Sequence, residues 1–114
     1  MVILSERHQE SLNYALRVLK NSDLPISSIW LYGSCADGTA KYDSDVDLAV
    51  FLDGSSQDTK KIRNVKCDCM PLAADLPEVD IHVFGEPFEN VDLSNVYFFN
   101  IKRGGVRIES DELL

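Results

Sequence analysis

Apolar residues first recur with helical spacing. After Ser5, a residue suited to capping a helix, Leu12, Ala15, Leu16 and Leu19 fall at i, i+3, i+4 and i+7, one stripe of a helix that should stop near Asn21. Asp23, Pro25, Ser27 and Ser28 make a polar break. The bulky run Ile29, Trp30, Leu31, Tyr32 then predicts a buried strand, ended by Gly33 and Ser34. Asp45 to Leu52 reads as a second strand, with Val46, Leu48, Val50 and Leu52 on one face and Asp45 and Asp47 on the other.

Gly54, Ser55 and Ser56 suit a turn, and Thr59 to Met70 is a helical segment carrying Lys60, Lys61, Arg63 and Lys66, a solvated face, until Pro71 breaks it. Leu72 to Leu76 can add a short helical piece before Pro77. Val79, Ile81 and Val83 alternate with Asp80 and His82, a third strand with Asp80 on its polar face. After the loop at Gly85 and Pro87, Asp92 or Ser94 can cap a helix through Tyr97, Phe98, Phe99 and Ile101, with Lys102 and Arg103 in its last turn and Gly104 as its stop. Two of the three clustered aromatics are expected in the core. Val106 and Ile108 can form a short last strand, with a frayed acidic end from Glu109. No repeat, low-complexity tract or linker interrupts the pattern, so residues 1–114 read as a single domain of mixed, mainly antiparallel sheet flanked by helices, an α+β fold.

Composition narrows the function. The chain has 114 residues, 45% hydrophobic and 26% charged, enough for one core without disulfides or structural metal. Eleven Lys plus Arg against nineteen Asp plus Glu leave a net charge of −8, which disfavours non-specific nucleic-acid binding and anionic membrane surfaces. No apolar run approaches the roughly twenty residues a membrane helix needs. Met1 to Glu10 lacks the apolar stretch of a secretory signal, which implies a cytoplasmic protein. Cys35, Cys67 and Cys69 are best read as reduced thiols, since the close pair is separated by one residue and no zinc spacing joins them to His8 or His82.

The chemistry concentrates between Gly33 and Phe51. Residues two apart on a strand point the same way with Cα atoms roughly 6.6 Å apart, so Asp45 and Asp47 can grip one cation or a cation pair, and Asp80 on another strand can complete the set. Oxygen ligands of this kind suit Mg²⁺ bound together with nucleotide phosphates. Gly33 lets the backbone approach a phosphate, and Ser34 adds a hydroxyl donor beside exposed N–H groups. Such a site can align a hydroxyl with an α-phosphorus while pyrophosphate leaves, which is nucleotidyl transfer. Competing motifs fail. Leu48 occupies the glycine position of a calcium loop begun by Asp43, Asp45 and Asp47, and no P-loop segment is present. His82 should share the face of Asp80 and is read as a solvated or hydrogen-bonded neighbour of the site.

The order G-S, then S-D-x-D-L, then a single later Asp on a strand resembles the nucleotidyltransferase superfamily related to DNA polymerase beta. More narrowly it resembles the minimal nucleotidyltransferases, small prokaryotic proteins often partnered by a helical protein of the HEPN class. The resemblance extends to the closing aromatic-rich helix with Asn100, Ile101, Lys102 and Arg103, followed by Gly105 and a short strand. It implies Gly33 and Ser34 as the phosphate-binding pair, and Asp45, Asp47 and Asp80 as catalytic metal ligands for Mg²⁺, with two ions expected. It also implies ATP as donor of AMP and Asp80 as the group that activates the acceptor hydroxyl. The implied acceptor is a tyrosine of a HEPN-type toxin, with this chain as antitoxin in a homo- or hetero-oligomer.

The chain departs from the family where arginine is common in the G-S-x-A-x-G segment: it has Cys35 and Asp37, and Lys41 is the candidate replacement cation. A weakened antitoxin that neutralises its partner by occlusion is therefore the second reading. Transfer to a small molecule ranks third, since few residues remain outside the catalytic core to build an acceptor pocket.

Overall fold

The first helix, α1 (Glu6–Asn21), starts where Ser5 accepts a hydrogen bond from the His8 N–H, and its stripe of Leu12, Ala15, Leu16 and Leu19 is buried. The computed structural model describes residues 4–55 and 58–108. Two polar residues share the buried stripe. The His8 ring spans from Ser5 Oγ (2.6 Å) to the Ser44 carbonyl (2.9 Å), and Ser11 Oγ donates to the Pro77 carbonyl at 2.7 Å. A hydroxyl or imidazole buried this way needs such partners, and here the partners are the segments that lead into the second and third strands.

Strand β1 spans Ile26–Tyr32, three residues earlier than the apolar run predicts. Backbone pairing explains the difference: Ile26 pairs with Leu52 and Ser28 with Phe51, across a bulge, so Ser27 and Ser28 lie inside the ladder rather than in a break. Ser28 Oγ accepts a hydrogen bond from Trp30 Nε1 at 3.2 Å, which lets a polar residue sit there buried. A one-turn helix α2 (Ser34–Asp37) follows, then β2 (Val46–Leu52). Val46, Leu48, Val50 and Leu52 are buried as predicted, but so are Ala49 and Phe51 on the other face. Strand β2 is covered on both sides, and Asp47 is its one residue that is not fully buried.

Helix α3 (Thr59–Asp68) is capped by Asp58 and ends before Pro71; it carries the chain back so that β3 (Val79–Phe84) pairs parallel to β2. Residues 72–76 form bends and a turn instead of the expected helical piece. Prolines bound the segment on both sides, and Leu72, Ala73, Ala74 and Asp75 are exposed, so no apolar face rewards a helix. After a 3₁₀ turn at Phe88–Asn90, α4 runs over Val96–Gly104. Its cap is Asn95, whose side chain accepts from the Tyr97 N–H, and neither Asp92 nor Ser94 serves. Asp92 instead accepts from the Ser94 N–H and hydroxyl in the preceding turn. Gly104 is the last helical residue, and the stop is Gly105, whose N–H reaches the Ile101 carbonyl. The short β4 (Val106–Arg107) pairs antiparallel with β1. The expected fraying from Glu109 lies outside the described residues.

The sheet is mixed, ordered β3-β2-β1-β4, antiparallel except for the β2–β3 pair. One face packs aliphatic residues against α1 and α3. The other carries an aromatic cluster of Phe51 with Trp30, Tyr32, Phe84, Phe88, Tyr97 and Phe98. Tyr97 and Phe98 join it as expected, while Phe99 is exposed. Among the described residues, no helix is long and apolar enough to cross a membrane.

Candidate functional site

Strand register assembles the site. Tyr32 pairs with Asp47 across β1 and β2, and Asp47 pairs with Asp80 across β2 and β3, so the three residues form one row over three adjacent strands. The next row on the same face is Trp30, Ala49 and His82. Neighbouring strands lie about 4.8 Å apart, which places the two carboxylates within reach of one ligand. Both stand at the end of the aromatic face, where the apolar cover stops. Asp45 precedes the strand by one residue and is exposed; extended backbone puts it on the side of Asp47.

The turn after β1 closes over this row. Gly33 has φ 74° and ψ −154°, a conformation open to little but glycine, and it caps α2. Asp47 Oδ2 would lie only 2.5 Å from a Cβ on Gly33, so the carboxylate occupies the space a side chain would need. Ser34 opens α2, and buried Cys35 donates its thiol to the Asp45 carbonyl at 3.4 Å, lacing the turn to the entrance of β2. Lys41 is exposed, with its N–H on Ser44 Oγ, and shares a cavity of about 180 Å³ with Ser34, Gly38, Arg7 and Tyr42. The carboxylates Asp45, Asp47 and Asp80 do not line that cavity. Asp37 accepts from both the N–H (3.0 Å) and the hydroxyl of Thr39, which holds its pKa below the usual carboxylate value.

Like charge dominates the row. Burial, then Asp80, then Asp45 push the Asp47 carboxyl up to about 6, while His82 draws it slightly down. His82 Nε2 stands 3.4 Å from Asp80 Oδ2. Burial first, then its tyrosine neighbour, then Asp47 and Asp80 raise the Tyr32 phenol far above its ordinary value. Among the described residues, no three His, Cys, Asp or Glu side chains converge as a ready metal cluster. Asp47 and Asp80 converge as a register pair, with Asp45 near enough to raise the Asp47 carboxyl. An all-oxygen donor set with uncompensated negative charge is what a hard divalent cation relieves, so these residues fit Mg²⁺.

Four residues near the site escape a reading from sequence. His8 and Ser11 hold the strand entrances, and Arg7 ties down the flanking loops: its guanidinium donates to the carbonyls of Tyr42 and Asp75 (both at 3.0 Å) and lies 3.7 Å over the Tyr42 ring. Ser11 had a visible signal, a small polar residue beside Leu12 on the apolar stripe. Tyr97 had none, since α4 meets the row only through the tertiary fold.

The polymerase beta nucleotidyltransferase family model matches residues 15–108. No curated protein matches the chain by sequence. A solved structure described as "Crystal structure of the toxin-antitoxin with AMP-PNP" superposes with a TM-score of 0.58 and 21% identity, over 88% of this chain and 76% of that one. That likeness is one of fold, and it agrees with the mixed sheet and flanking helices seen here. With most of its length matched, the chain belongs to the polymerase beta nucleotidyltransferase family.

Proposed function

We propose that the chain is a Mg²⁺-dependent nucleotidyltransferase that moves AMP from ATP onto a hydroxyl of an acceptor, a tyrosine of a HEPN-type toxin, and so acts as an antitoxin. The observation that carries this reading is the register pairing of Asp47 with Asp80 directly beside the Gly33–Ser34 turn. Membership of the family supports the reaction class, and the toxin-antitoxin neighbour crystallised with AMP-PNP supports the nucleotide and the partner.

Each residue has a role that follows from its place. Gly33 leaves room for a phosphate to approach the backbone, and Ser34 donates its hydroxyl and N–H to phosphate oxygens. Asp45, Asp47 and Asp80 hold Mg²⁺, which when bound offsets the charge of the phosphates and of the carboxylates that face them. Asp80, the most open of the pair, takes the proton of the acceptor hydroxyl. The hydroxyl oxygen forms a bond to the α-phosphorus, the bond from that phosphorus to the bridging oxygen breaks, and pyrophosphate leaves with the electron pair. Lys41 borders Ser34 and adds a cation where the family commonly has arginine.

The test is label transfer from ATP labelled at the α-phosphate, with Mg²⁺ and a lysate of the source organism, against an Asp80→Asn control. Label on one small protein that vanishes in the control supports the reading. No Asp80-dependent label on any protein or small molecule overturns it. The ionised Asp37 next to the phosphate turn favours the second reading in that event, an antitoxin that works by occlusion.

A further inference from the structure

Among the described residues, one buried side-chain oxygen or nitrogen lacks a hydrogen-bond partner, and it is the hydroxyl of Tyr97. Buried phenols normally find a partner, because a desolvated donor left unpaired costs free energy that a phenylalanine would not. The residue is half-buried, its N–H is held by the Asn95 cap, and four rings pack around the side chain. Tyr32 stands edge-on at 5.5 Å, Phe98 at 5.5 Å, Phe84 at 5.6 Å and His82 at 6.0 Å. The Tyr32 hydroxyl is near enough to act on the Tyr97 phenol as a loose hydrogen-bonding neighbour, raising its own pKa and lowering that of Tyr97, but the contact falls short of a well-formed hydrogen bond.

Two of these neighbours belong to the site. Tyr32 is the register partner of Asp47, and His82 leans on Asp80. The fields of Asp80 and Asp47 both reach the Tyr97 phenol, Asp80 the more strongly. The Asp80 carboxylate is itself loosely held: its one ion-pair contact among the described residues, to His82 at 3.4 Å, is long for a charge-assisted hydrogen bond, and its side chain is 56% exposed. An orphaned donor and an under-held carboxylate thus stand together where α4 meets β3.

We infer that Tyr97 is a positioning residue for Asp80, its hydroxyl donating to the Asp80 carboxylate when the Asp47–Asp80 pair grips a divalent cation. This rests on the reading of that pair as cation ligands. A carboxylate that gives one oxygen to a cation keeps the other for a donor that fixes its orientation, and Tyr97 supplies that donor from the aromatic cluster. Helix α4, otherwise a packing element, becomes part of the site.

Thermal melting under MgCl₂ titration, with and without ATP, tests this on the wild type, Tyr97→Phe and Asp80→Asn. Without Mg²⁺, Tyr97→Phe melts at or above the wild type, because the substitution removes only the unpaired oxygen. The Mg²⁺ midpoint for stabilisation rises about tenfold in Tyr97→Phe, the lower end of what losing a supporting partner of a metal ligand costs. In label transfer, its kcat falls while KM for ATP holds. A Tyr97→Phe midpoint equal to that of the wild type overturns the inference alone. A Tyr97→Phe melting point well below the wild type without Mg²⁺ also overturns it, since the hydroxyl would then serve the apo fold. No Mg²⁺ shift in the wild type overturns the cation-ligand reading first, and this inference with it.

Discussion

Asp47 Oδ2 sits in the space that a side chain on Gly33 would fill, 2.5 Å from the position of its Cβ. The Gly33–Ser34 turn and the Asp47 carboxylate are therefore one packed unit, and neither can change without the other. Gly33→Ala meets both a positive φ and that clash. We expect a loss of about 1–3 kcal/mol of stability from backbone strain, and a transfer rate lowered at least about a hundredfold as Asp47 is displaced. Denaturant melts and label transfer check the two effects separately. Wild-type stability together with wild-type transfer would refute the coupling.

The Asp47 carboxylate is held at a cost to the folded state. Its folded pKa of about 6 lies above the ordinary carboxylate value of 3.8, so the folded state binds the proton more tightly than the unfolded chain does. Stability from this group is therefore greatest below pH 4 and declines as the pH rises from about 4 to about 6. Asp47→Asn removes the charge. The variant should melt about 1–4 °C above the wild type at pH 8 without divalent ions, a modest gain because Asp47 is partly open to solvent, and should melt level with it near pH 4. It should also lose both the Mg²⁺-induced stabilisation and the transfer activity. Melting curves across pH, with EDTA or MgCl₂, decide each point.

The sequence shows these carboxylates because their strands obey the period-two rule: Val79, Ile81 and Val83 point to the core, leaving Asp80 and His82 outward. The α1 stripe is legible for the same kind of reason, through its helical period. The start of β1 is not, because Ser27 and Ser28 are held by backbone pairing with β2, to which side-chain patterning is blind. The cap of α4 goes to Asn95 and not to Asp92 or Ser94, since three good capping residues within four positions leave the choice to packing. Above all, the row of Tyr32, Asp47 and Asp80 depends on the register of three strands, and the approach of Tyr97 on a helix more than sixty residues downstream of Tyr32. Spacing along the chain supplies the aspartates; only the fold supplies the aromatic wall beside them.

The three cysteines should separate cleanly in reactivity. Cys67 is exposed at the end of α3, whereas Cys35 and Cys69 are buried. Burial pushes the Cys69 thiol up to about 12, and burial followed by Asp47, Asp37 and Asp45 raises Cys35. In the native protein at pH 8 a thiol reagent should label one cysteine rapidly, and all three after denaturation. Mass spectrometry of the labelled peptides assigns the fast site. Rapid labelling of Cys35 would mean that the α2 turn, tied to the Asp45 carbonyl by that thiol, opens readily.

Ser11 connects α1 to the strand that carries Asp80. Its hydroxyl is fully buried and donates to the Pro77 carbonyl, two residues before β3 begins. Ser11→Ala keeps the helix, since alanine is the better helix former, but leaves that carbonyl without its side-chain donor. The expected cost is about 1–2 kcal/mol of stability. Because the bond anchors the entrance of β3, hydrogen exchange should accelerate over residues 78–81 more than in β1. Transfer should weaken through kcat as Asp80 loses its fixed height beside Asp47, while ATP binding at the Gly33–Ser34 turn is retained. Equal acceleration of exchange in β1 and β3 would show that Ser11 supports the whole fold, and not the placement of Asp80.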